Sequence, residues 1–376
     1  RWAGFCAAVA SGDGGMTVEQ LLSDGWQFCK LPLGSTLEDV INAALQAVDL
    51  PHDFLIENEN DLYETTDAWY LRTLDVPESW CASCVLVRFD GVYMDCDVLL
   101  NGHIVCTHHY GYTAFDVDLT SRLLVGRNTL AVHVRHQSPN SRWYSGAGIY
   151  RDVTLHVLPK RHIPLDGVYV TTTHELESWT MTIDTELCGV KDNGVLTHVL
   201  LDGDVPVCDV TVEAAGDHAN AVMQVLSPKL WSPDAPNVYT LQTMLGNQVI
   251  RQNVGFRDLT FTTDRGLLVN GAPVKLHGVC LHHDLGCLGS AFHEKAMRRQ
   301  LRAMRQMGVN ALRTSHNPPA KQVMDLCDEL GIFVVDEAFD MWLRAKTPFD
   351  YARFFPTDMP SDVAAWVRRD RNHPSL

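Results

Sequence analysis

Three short segments in the carboxyl-terminal part of the chain hold polar residues whose types suit chemistry on a polar substrate. Each segment follows an apolar run, so its side chains stand where a buried strand would end. The ends of parallel strands converge, and these side chains are therefore expected to meet. The polar residues in question are His282, His283, Asp284, Arg313, His316, Asp336, Glu337 and Asp340. The cluster indicates an active site; the alternatives are solvated loop charges, or an Arg–carboxylate pair that braces the fold.

The segments around these residues alternate between strand and helix patterns. Apolar runs predict buried strands at 274–279, 309–312 and 332–335. Periodicity also predicts three helices: one capped by Ser290 and ended by Gly308, one from Pro319 to Gly331, and one from Ser361 through Val367. This order predicts parallel strands covered by helices. A closed (β/α)8 barrel needs about 250 residues, so the region supplies roughly three of eight units.

The residues before this region have the patterns of two all-β domains. Residues 16–158 contain many short strands separated by turns, which is typical of a jelly roll. Residues 159–261 contain roughly seven strands over about a hundred residues, which predicts an immunoglobulin-like β-sandwich. The predicted fold is therefore multidomain, β plus α/β, with residues 262–376 forming the first part of a TIM (β/α)8 barrel.

Four motifs resemble those of glycoside hydrolase family 2, the β-galactosidase and β-glucuronidase family. Three lie in the barrel region, at residues 312–319, 334–340 and 370–375, and the last of these contains Asn-His-Pro-Ser. The fourth, at residues 140–151, includes Gly-Ile-Tyr-Arg and resembles the family's galactose-binding-like jelly roll. The resemblance extends from about Gly25 to the end of the chain.

The resemblance implies roles for five residues of the barrel. Arg313 and His316 match the Arg-x-x-His motif that supports the catalytic carboxylates and contacts the sugar. His282 and Asp284 match substrate-contacting positions in the turn after the first strand. Asp340 matches an acidic position that shapes the sugar subsite.

The resemblance also implies a contribution from the first domain. In this family the loop before Gly-Ile-Tyr-Arg reaches over the barrel toward the substrate, and Asn140 is the expected sugar-binding residue in it. Trp143 packs either against the apolar face of the sugar or in the protein core.

The resemblance implies a retaining reaction, in which one carboxyl acts as acid and then base and the other as nucleophile. In the family, the acid/base Glu follows the fourth strand, shortly after Asn-His-Pro-Ser, so both catalytic Glu residues are expected beyond Leu376. Glu337 follows the third strand and is not expected to replace them. The 376 residues alone are therefore expected to be inactive.

The expected substrate is a terminal β-galactoside. The turn at 281–286 and the segment at 336–342 resemble β-galactosidase-like members more than β-glucuronidases. β-Glucuronidase and β-mannosidase activities remain alternatives within the family. A different class of function is a noncatalytic carbohydrate-binding module, because β-sandwich domains also bind sugars.

The sequence predicts neither a metal site nor an organic cofactor. Some family members hold magnesium with a carboxylate and a His after the third strand, but residues 339–342 lack that His. His282 and His283 are adjacent, so their side chains are expected to point apart. Cys81 and Cys84 form a C-x-x-C without the second pair that a structural zinc site usually has.

Composition limits the partners and the compartment. A net charge of −16 argues against nucleic acid and anionic membranes, and there is no apolar run long enough to span a bilayer. Eleven cysteines are irregularly spaced, and most lie in apolar neighbourhoods, such as Cys96, Cys106, Cys280 and Cys327. This pattern indicates buried, reduced thiols and a cytoplasmic location. The sequence leaves open whether the protein forms a homo-oligomer, and whether Met16 is its true start.

Overall fold

The first domain is a sandwich of two antiparallel sheets. The structure, a computed structural model, describes residues 17–191 and 194–376, so the question of Met16 lies outside the described residues. One sheet has the strand order β1-β10-β5-β8 and the other has the order β3-β2-β4-β9-β6-β7. The strands are β1 (Val18–Leu21), β2 (Trp26–Leu31), β3 (Gln46–Val48), β4 (Thr66–Val76), β5 (Cys84–Phe89), β6 (Cys96–Leu100), β7 (His103–His108), β8 (Phe115–Asp118), β9 (Gly126–His136) and β10 (Val153–Leu158), with one short helix, α1 (Leu37–Ile41).

Alternation of apolar and polar residues builds the core of this sandwich. In β5, Val85, Val87 and Phe89 are buried, and the residues between them face outward in part. The inner faces of the two sheets bury a continuous set of side chains that includes Trp26 and Tyr70. The predicted jelly-roll class is confirmed for this domain.

The second domain is a seven-stranded sandwich with a short two-stranded ribbon beside it. Its sheets have the orders β11-β12-β15 and β14-β13-β18-β19. The strands are β11 (Val168–Glu175), β12 (Ser178–Glu186), β13 (Gly194–Asp202), β14 (Val205–Ala214), β15 (His218–Leu226), β16 (Trp231–Ser232), β17 (Ala235–Pro236), β18 (Tyr239–Leu245) and β19 (Gln248–Val254). Two antiparallel sheets around one core are what an immunoglobulin-like domain requires.

The carboxyl-terminal region begins with a small antiparallel sheet and continues as parallel β/α units. Strands β23, β24 and β25 are parallel and lie in sequence order, as in the first part of a barrel. The elements are β20 (Leu259–Thr262), β21 (Gly266–Val269), β22 (Ala272–Pro273), β23 (Gly278–Leu281), α2 (Glu294–Gln306), β24 (Ala311–Thr314), α3 (Lys321–Leu330), β25 (Phe333–Val335) and α4 (Phe355–Asp370).

The helix α3 shows how this region assembles. Its buried residues Val323, Leu326 and Cys327 pack with the strands, and Gly331 ends it with φ of 66°, a left-handed conformation that glycine adopts without strain. This helix was predicted with the correct buried stripe.

Three predicted boundaries in this region are wrong. The first strand begins at Gly278, not at 274. It is also not fully buried, because its even-numbered residues lie on the barrel's interior face and are exposed. Helix α4 begins at Phe355, so Ser361 lies inside it, because Phe355 is anchored by packing against Tyr351 and Phe339. Ser290 does not cap α2, whose N-cap residue is His293.

The thiol of Cys280 corrects another expectation. It lies on the interior face of β23 and is exposed, and Cys106 is only half-buried, whereas Cys96 and Cys327 are buried as predicted. Hydrogen bonds from Arg313 and Ser315 lower the pKa of Cys280. All ten cysteines of the described residues are free thiols.

The first domain packs directly on the barrel units. The fully buried guanidinium of Arg151 donates to the carbonyl oxygens of Tyr112 and Pro318, both at 2.9 Å. An aromatic cluster of Tyr110, Tyr351 and Phe339 fills the same junction. The loop at 140–150 is thereby held over the ends of the barrel strands. Among the described residues, no helix is both long and apolar enough to cross a membrane.

Candidate active site

The ends of β24 and β25 place three ionisable side chains in direct contact. Arg313 Nε donates to Glu337 Oε1 at 2.5 Å, and His316 Nδ1 lies 3.2 Å from both Glu337 Oε2 and Arg313 Nη2. The three side chains remain between 25% and 43% exposed, so solvent can reach them. The Arg–carboxylate pair considered from the sequence is therefore present, and it is part of an open cluster.

The first domain covers one side of this cluster with an indole ring. Trp143 stacks on the His282 ring, with ring centroids 5.0 Å apart and an interplanar angle of 15°. It also meets the His316 ring edge to face at 5.5 Å, and its Nε1 donates to the Tyr112 hydroxyl at 3.3 Å. Trp143 thus packs against the two candidate histidines and joins the two domains at the site.

The two adjacent histidines after β23 make different contacts. His282 Nδ1 lies 2.9 Å from the Ser315 carbonyl oxygen, in the barrel, and His283 Nε2 lies 2.8 Å from the Ser145 carbonyl oxygen, in the first domain. Burial lowers the pKa of His283 to about 4, so this ring is neutral near pH 7 and donates its Nε2–H to Ser145. Only His282 of the two contacts Trp143. The side chains point apart, as the sequence predicted.

A prediction for stability follows from the neutral state of His283. Its pKa is depressed in the folded chain, so its contribution to stability is present above pH 6.5 and is lost as pH falls toward 4. The wild-type chain should lose about 2 kcal/mol more than His283→Gln between pH 7 and pH 5. Urea denaturation at several pH values measures this difference, and parallel pH profiles for the two proteins would contradict it.

Asn140 is buried inside the loop of the first domain. Its Oδ1 accepts from the Tyr93 hydroxyl at 3.0 Å and from Ser145 Oγ at 3.3 Å. Its Nδ2 lies 3.0 Å from His136 Nε2 and donates to the Gln137 carbonyl oxygen at 2.8 Å. The amide therefore uses both its acceptor and its donors within the loop, and it braces the segment that carries Trp143.

Asp340 is held between two cations. Arg142 Nη2, from the first domain, donates to Asp340 Oδ1 at 2.5 Å, and Lys346 Nζ donates to the same oxygen at 2.8 Å. Burial alone would raise the pKa of Asp340, but the hydrogen bonds and charges of Arg142 and Lys346 outweigh it and lower the pKa. Asp284 lies half-buried in the turn after β23. The structure thus brings the predicted residues to one end of the barrel, although Asn140 and Asp340 are engaged by protein partners.

Sequence reasoning missed the two cations beside Asp340. Arg142 stands next to Trp143 in a recognised motif, so its position was a usable signal. Lys346 has no comparable signal, because it reaches Asp340 from a loop without regular structure.

Asp336 points away from the cluster, and its carboxyl accepts a hydrogen bond from Trp366 Nε1 at 2.5 Å. Burial, together with the charge of Asp370, raises the pKa of Asp336 to about 7.

One group of side chains among the described residues has a spacing suited to a cation, away from this cluster. The ligand atoms of Asp325, Asp328 and His373 lie within 4.8 Å of one another. However, Asp328 Oδ2 is already 2.6 Å from His373 Nδ1, and Asp325 is paired with Lys321 at 3.0 Å. These contacts satisfy the three side chains within the protein.

Three sequence models of one family match nearly the whole chain. The model of the family 2 glycosyl hydrolase sugar binding domain matches residues 25–159, and the model of the family's TIM barrel domain matches residues 261–376. Between them, a third model, described as glycosyl hydrolases family 2, matches residues 162–257. The order of the matched domains is the order of the three structural units.

Individual relatives agree with these matches. A β-galactosidase of Bacteroides ovatus, BoGH2A, is 37% identical over 88% of this chain and 42% of its own length. A putative β-glucuronidase of Formosa agariphila is 32% identical over 96% of this chain and 37% of its own length. The crystal structure of a β-glycosidase from Bacteroides vulgatus is 33% identical, with a TM-score of 0.87 over 95% of this chain and 49% of that one. The chain thus spans less than half the length of these relatives.

The architecture is that of a multidomain glycoside hydrolase. It consists of a jelly roll, an immunoglobulin-like sandwich and the opening units of a TIM barrel with polar residues at the strand ends. The chain belongs to glycosyl hydrolases family 2.

Proposed function

We propose that the protein containing these residues is a retaining β-glycosidase that hydrolyses terminal β-galactosides. The observation that carries the proposal is the contact between domains at the strand ends, where Trp143 of the first domain covers His282 and His316 of the barrel. Aromatic rings beside polar donors suit a sugar, which has one apolar face and a rim of hydroxyls. No organic cofactor is needed for this reaction.

Each residue of the cluster has a proposed role. Arg313 and His316 hold the carboxylate of Glu337 and present their remaining N–H groups toward the sugar, and His282 and Asp284 contact its hydroxyls. Glu337 is not proposed as the acid/base, because its two oxygens are already bound by Arg313 and His316. A retaining enzyme needs two carboxyls about 5 Å apart. We propose that neither belongs to the 376 residues.

The preference for galactosides rests on the turn at 281–286 and the segment at 336–342, and a similar protein from Bacteroides ovatus has the name β-galactosidase. A β-glucuronidase is the second candidate, and a β-mannosidase is the third. Similar proteins also include putative β-glucuronidases, and the partly exposed cations Arg142 and Lys346 could meet a sugar carboxylate. We do not propose nucleic acid or membranes as partners. The free thiols support a proposed cytoplasmic location. The proposal includes no particular oligomeric state, and a homo-oligomer is compatible with it.

The test compares three nitrophenyl substrates. The complete reading frame that encodes these residues should hydrolyse 4-nitrophenyl β-D-galactoside with a higher kcat/KM than the β-D-glucuronide or the β-D-mannoside. A higher value for the glucuronide would overturn the galactoside assignment in favour of the second candidate. Hydrolysis of none of the three would overturn the glycosidase proposal.

The purified 376-residue chain is expected to release nitrophenol no faster than buffer does. The physical reason is that Arg313 and His316 already bind both oxygens of Glu337, which leaves this carboxylate poorly suited to act as nucleophile or acid. The complete reading frame, assayed under the same conditions, is the positive control. Turnover by the chain above background would show that the catalytic pair lies within it.

A noncatalytic carbohydrate-binding module is the alternative from another class. Isothermal titration of galactose into residues 16–260 tests it, since this piece contains both sandwiches and no barrel strand. Saturable binding to this piece favours the binding module. Binding that requires the barrel favours the glycosidase.

A further inference from the structure

Asp53 is a buried residue at the junction of the first domain and the barrel. It immediately precedes the 3-10 turn Phe54–Glu57, and it is only 2% exposed. Its carboxyl group accepts hydrogen bonds from three separate segments of the chain. A buried carboxyl with this many partners is well satisfied, and its removal leaves several donors unpaired.

The five hydrogen bonds divide between the two oxygens. Oδ1 of Asp53 accepts from the backbone N–H groups of Leu55 and Ala147, both at 3.1 Å. Oδ2 accepts from the Tyr144 hydroxyl at 2.7 Å, from the Ser290 N–H at 2.8 Å and from Ser290 Oγ at 3.0 Å. Tyr144 and Ala147 belong to the first domain, whereas Ser290 belongs to the barrel.

Two glycines allow the chain to approach this carboxyl closely. Gly146 and Gly289 have φ of 66° and 61°, and a Cβ on either one would overlap the Asp53 carboxyl. One glycine lies in the first domain and the other in the barrel, so both segments approach the same oxygen. The close fit on both sides indicates a single, fixed arrangement of the two segments.

The segments that Asp53 holds are those that carry the stacked rings of the candidate site. Trp143 directly precedes Tyr144, and His283 bonds to the carbonyl oxygen of Ser145 in the same loop. Ser290 ends the barrel turn that begins with His282 and His283. We propose that Asp53 is a positioning residue that fixes Trp143 over His282 by locking the loop of the first domain onto the barrel. Its consequence for catalysis rests on the proposed glycosidase function.

Asparagine cannot replace this carboxyl without conflict. In Asp53→Asn, one oxygen becomes an NH₂ group that faces either the Ser290 N–H or the N–H groups of Leu55 and Ala147. A backbone N–H group can only donate, so at least one of these backbone hydrogen bonds to residue 53 is lost in either orientation of the amide. The shape of the side chain is retained, which separates loss of hydrogen bonds from loss of volume.

The first experiment observes the position of Trp143 directly in the 376-residue chain. The chain is labelled with 5-fluorotryptophan, and the Trp143 resonance is assigned with Trp143→Phe among the nine tryptophans. Asp53→Asn should shift or broaden this ¹⁹F resonance. Asp61→Asn is the matched control, because Asp61 is exposed in the same domain and accepts one backbone hydrogen bond, from Tyr63.

The second experiment measures kinetics in the complete reading frame. Asp53→Asn should lower kcat/KM for the preferred substrate about 100-fold, since a displaced contact of about 1 Å can have an effect of this size. KM should rise about fivefold, whereas simple loss of folded protein would lower kcat and leave KM unchanged. If Asp53→Asn does not fold, Tyr144→Phe removes one of the five bonds and should shift the Trp143 resonance and raise KM in the same direction.

The two proposals fail in different ways. An unchanged Trp143 resonance and unchanged KM in folded Asp53→Asn would overturn the positioning role, whatever the wild-type protein hydrolyses. A wild-type protein without glycosidase activity would overturn the proposed function and, with it, the catalytic part of the inference. A shifted resonance in that case would still establish that Asp53 fixes the loop.

Discussion

Replacing Arg313 by alanine in the complete protein is expected to lower kcat/KM by about 100- to 1,000-fold, or about 2.7–4 kcal/mol in the transition state. Arg313 is the residue that contacts both Glu337 and His316, so its removal releases both from their present geometry. Arg313→Lys should also be impaired, because a lysine ammonium cannot reproduce the planar set of guanidinium donors. Measured kcat and KM on the preferred nitrophenyl glycoside test this.

Arg298 provides the matched control for this variant. It also pairs with carboxylates, at 2.6 Å to Glu329 and 2.9 Å to Glu294, but it lies on the outer helix α2. Arg298→Ala should change kcat/KM by less than about twofold, because exposed ion pairs contribute only about 0–1 kcal/mol to stability. Equal activity losses in both variants would mean that Arg313 acts through general stability and does not belong to the site.

The second large effect concerns the stability of the barrel units. Asp328 is fully buried on α3, and its carboxyl binds His373 Nδ1 at 2.6 Å and the Ser375 N–H at 2.9 Å. Asp328→Ala leaves a buried imidazole and a backbone N–H without their partner. Breaking a buried pair in this way typically destabilises a protein by about 3–5 kcal/mol. Urea denaturation at pH 6, followed by circular dichroism, measures the change.

Asp325→Asn is the control, because Asp325 lies one turn earlier on the same helix and makes an exposed ion pair with Lys321. Its replacement should change stability by less than about 1 kcal/mol. A similar effect for both variants would contradict the assigned importance of the buried pair.

The same pair predicts a pH dependence. Burial opposes the charged form of His373, but the hydrogen bond and charge of Asp328 outweigh burial and raise the pKa of His373. A raised pKa means that the stability from this pair is fully present below about pH 6.5 and is lost as pH rises through the folded-state pKa. The difference in unfolding free energy between wild type and His373→Gln should therefore be largest at low pH and shrink as pH increases. A difference that grows with pH would contradict this.

The sequence predicted the domain classes because their patterns are local. Alternation in strands such as β5 and the buried stripe of α3 follow directly from periods of two and 3.6 residues. The polar residues after each barrel strand were found for the same reason, since the strand ends were located to within a few residues. Arg313, His316 and Glu337 meet as expected from their positions.

The remaining features depend on contacts between distant parts of the chain. Ser290 has the residue type of a helix cap, but its hydroxyl donates to Asp53, 237 residues away. Helix α4 starts early because an aromatic cluster holds Phe355, a tertiary effect that overrides the local signal of Ser361. The sequence predicts that Asp340 contacts the sugar. It gives no sign that Arg142, 198 residues earlier in the chain, binds the Asp340 carboxylate. Local patterns therefore indicate where the candidate site lies, whereas long-range pairs decide which of its side chains are already bound by protein partners.

The central claim is that the sugar binds where Trp143 meets His282, Arg313 and His316. A crystal structure of the complete protein, trapped with a 2-deoxy-2-fluoro-β-D-galactosyl compound, tests it most directly. Sugar atoms are expected within about 4 Å of the Trp143 ring, with hydrogen bonds from Arg313 or His316 to the sugar or to the carboxyl that holds it. A sugar bound elsewhere, with these four side chains unchanged and distant from it, would contradict the account.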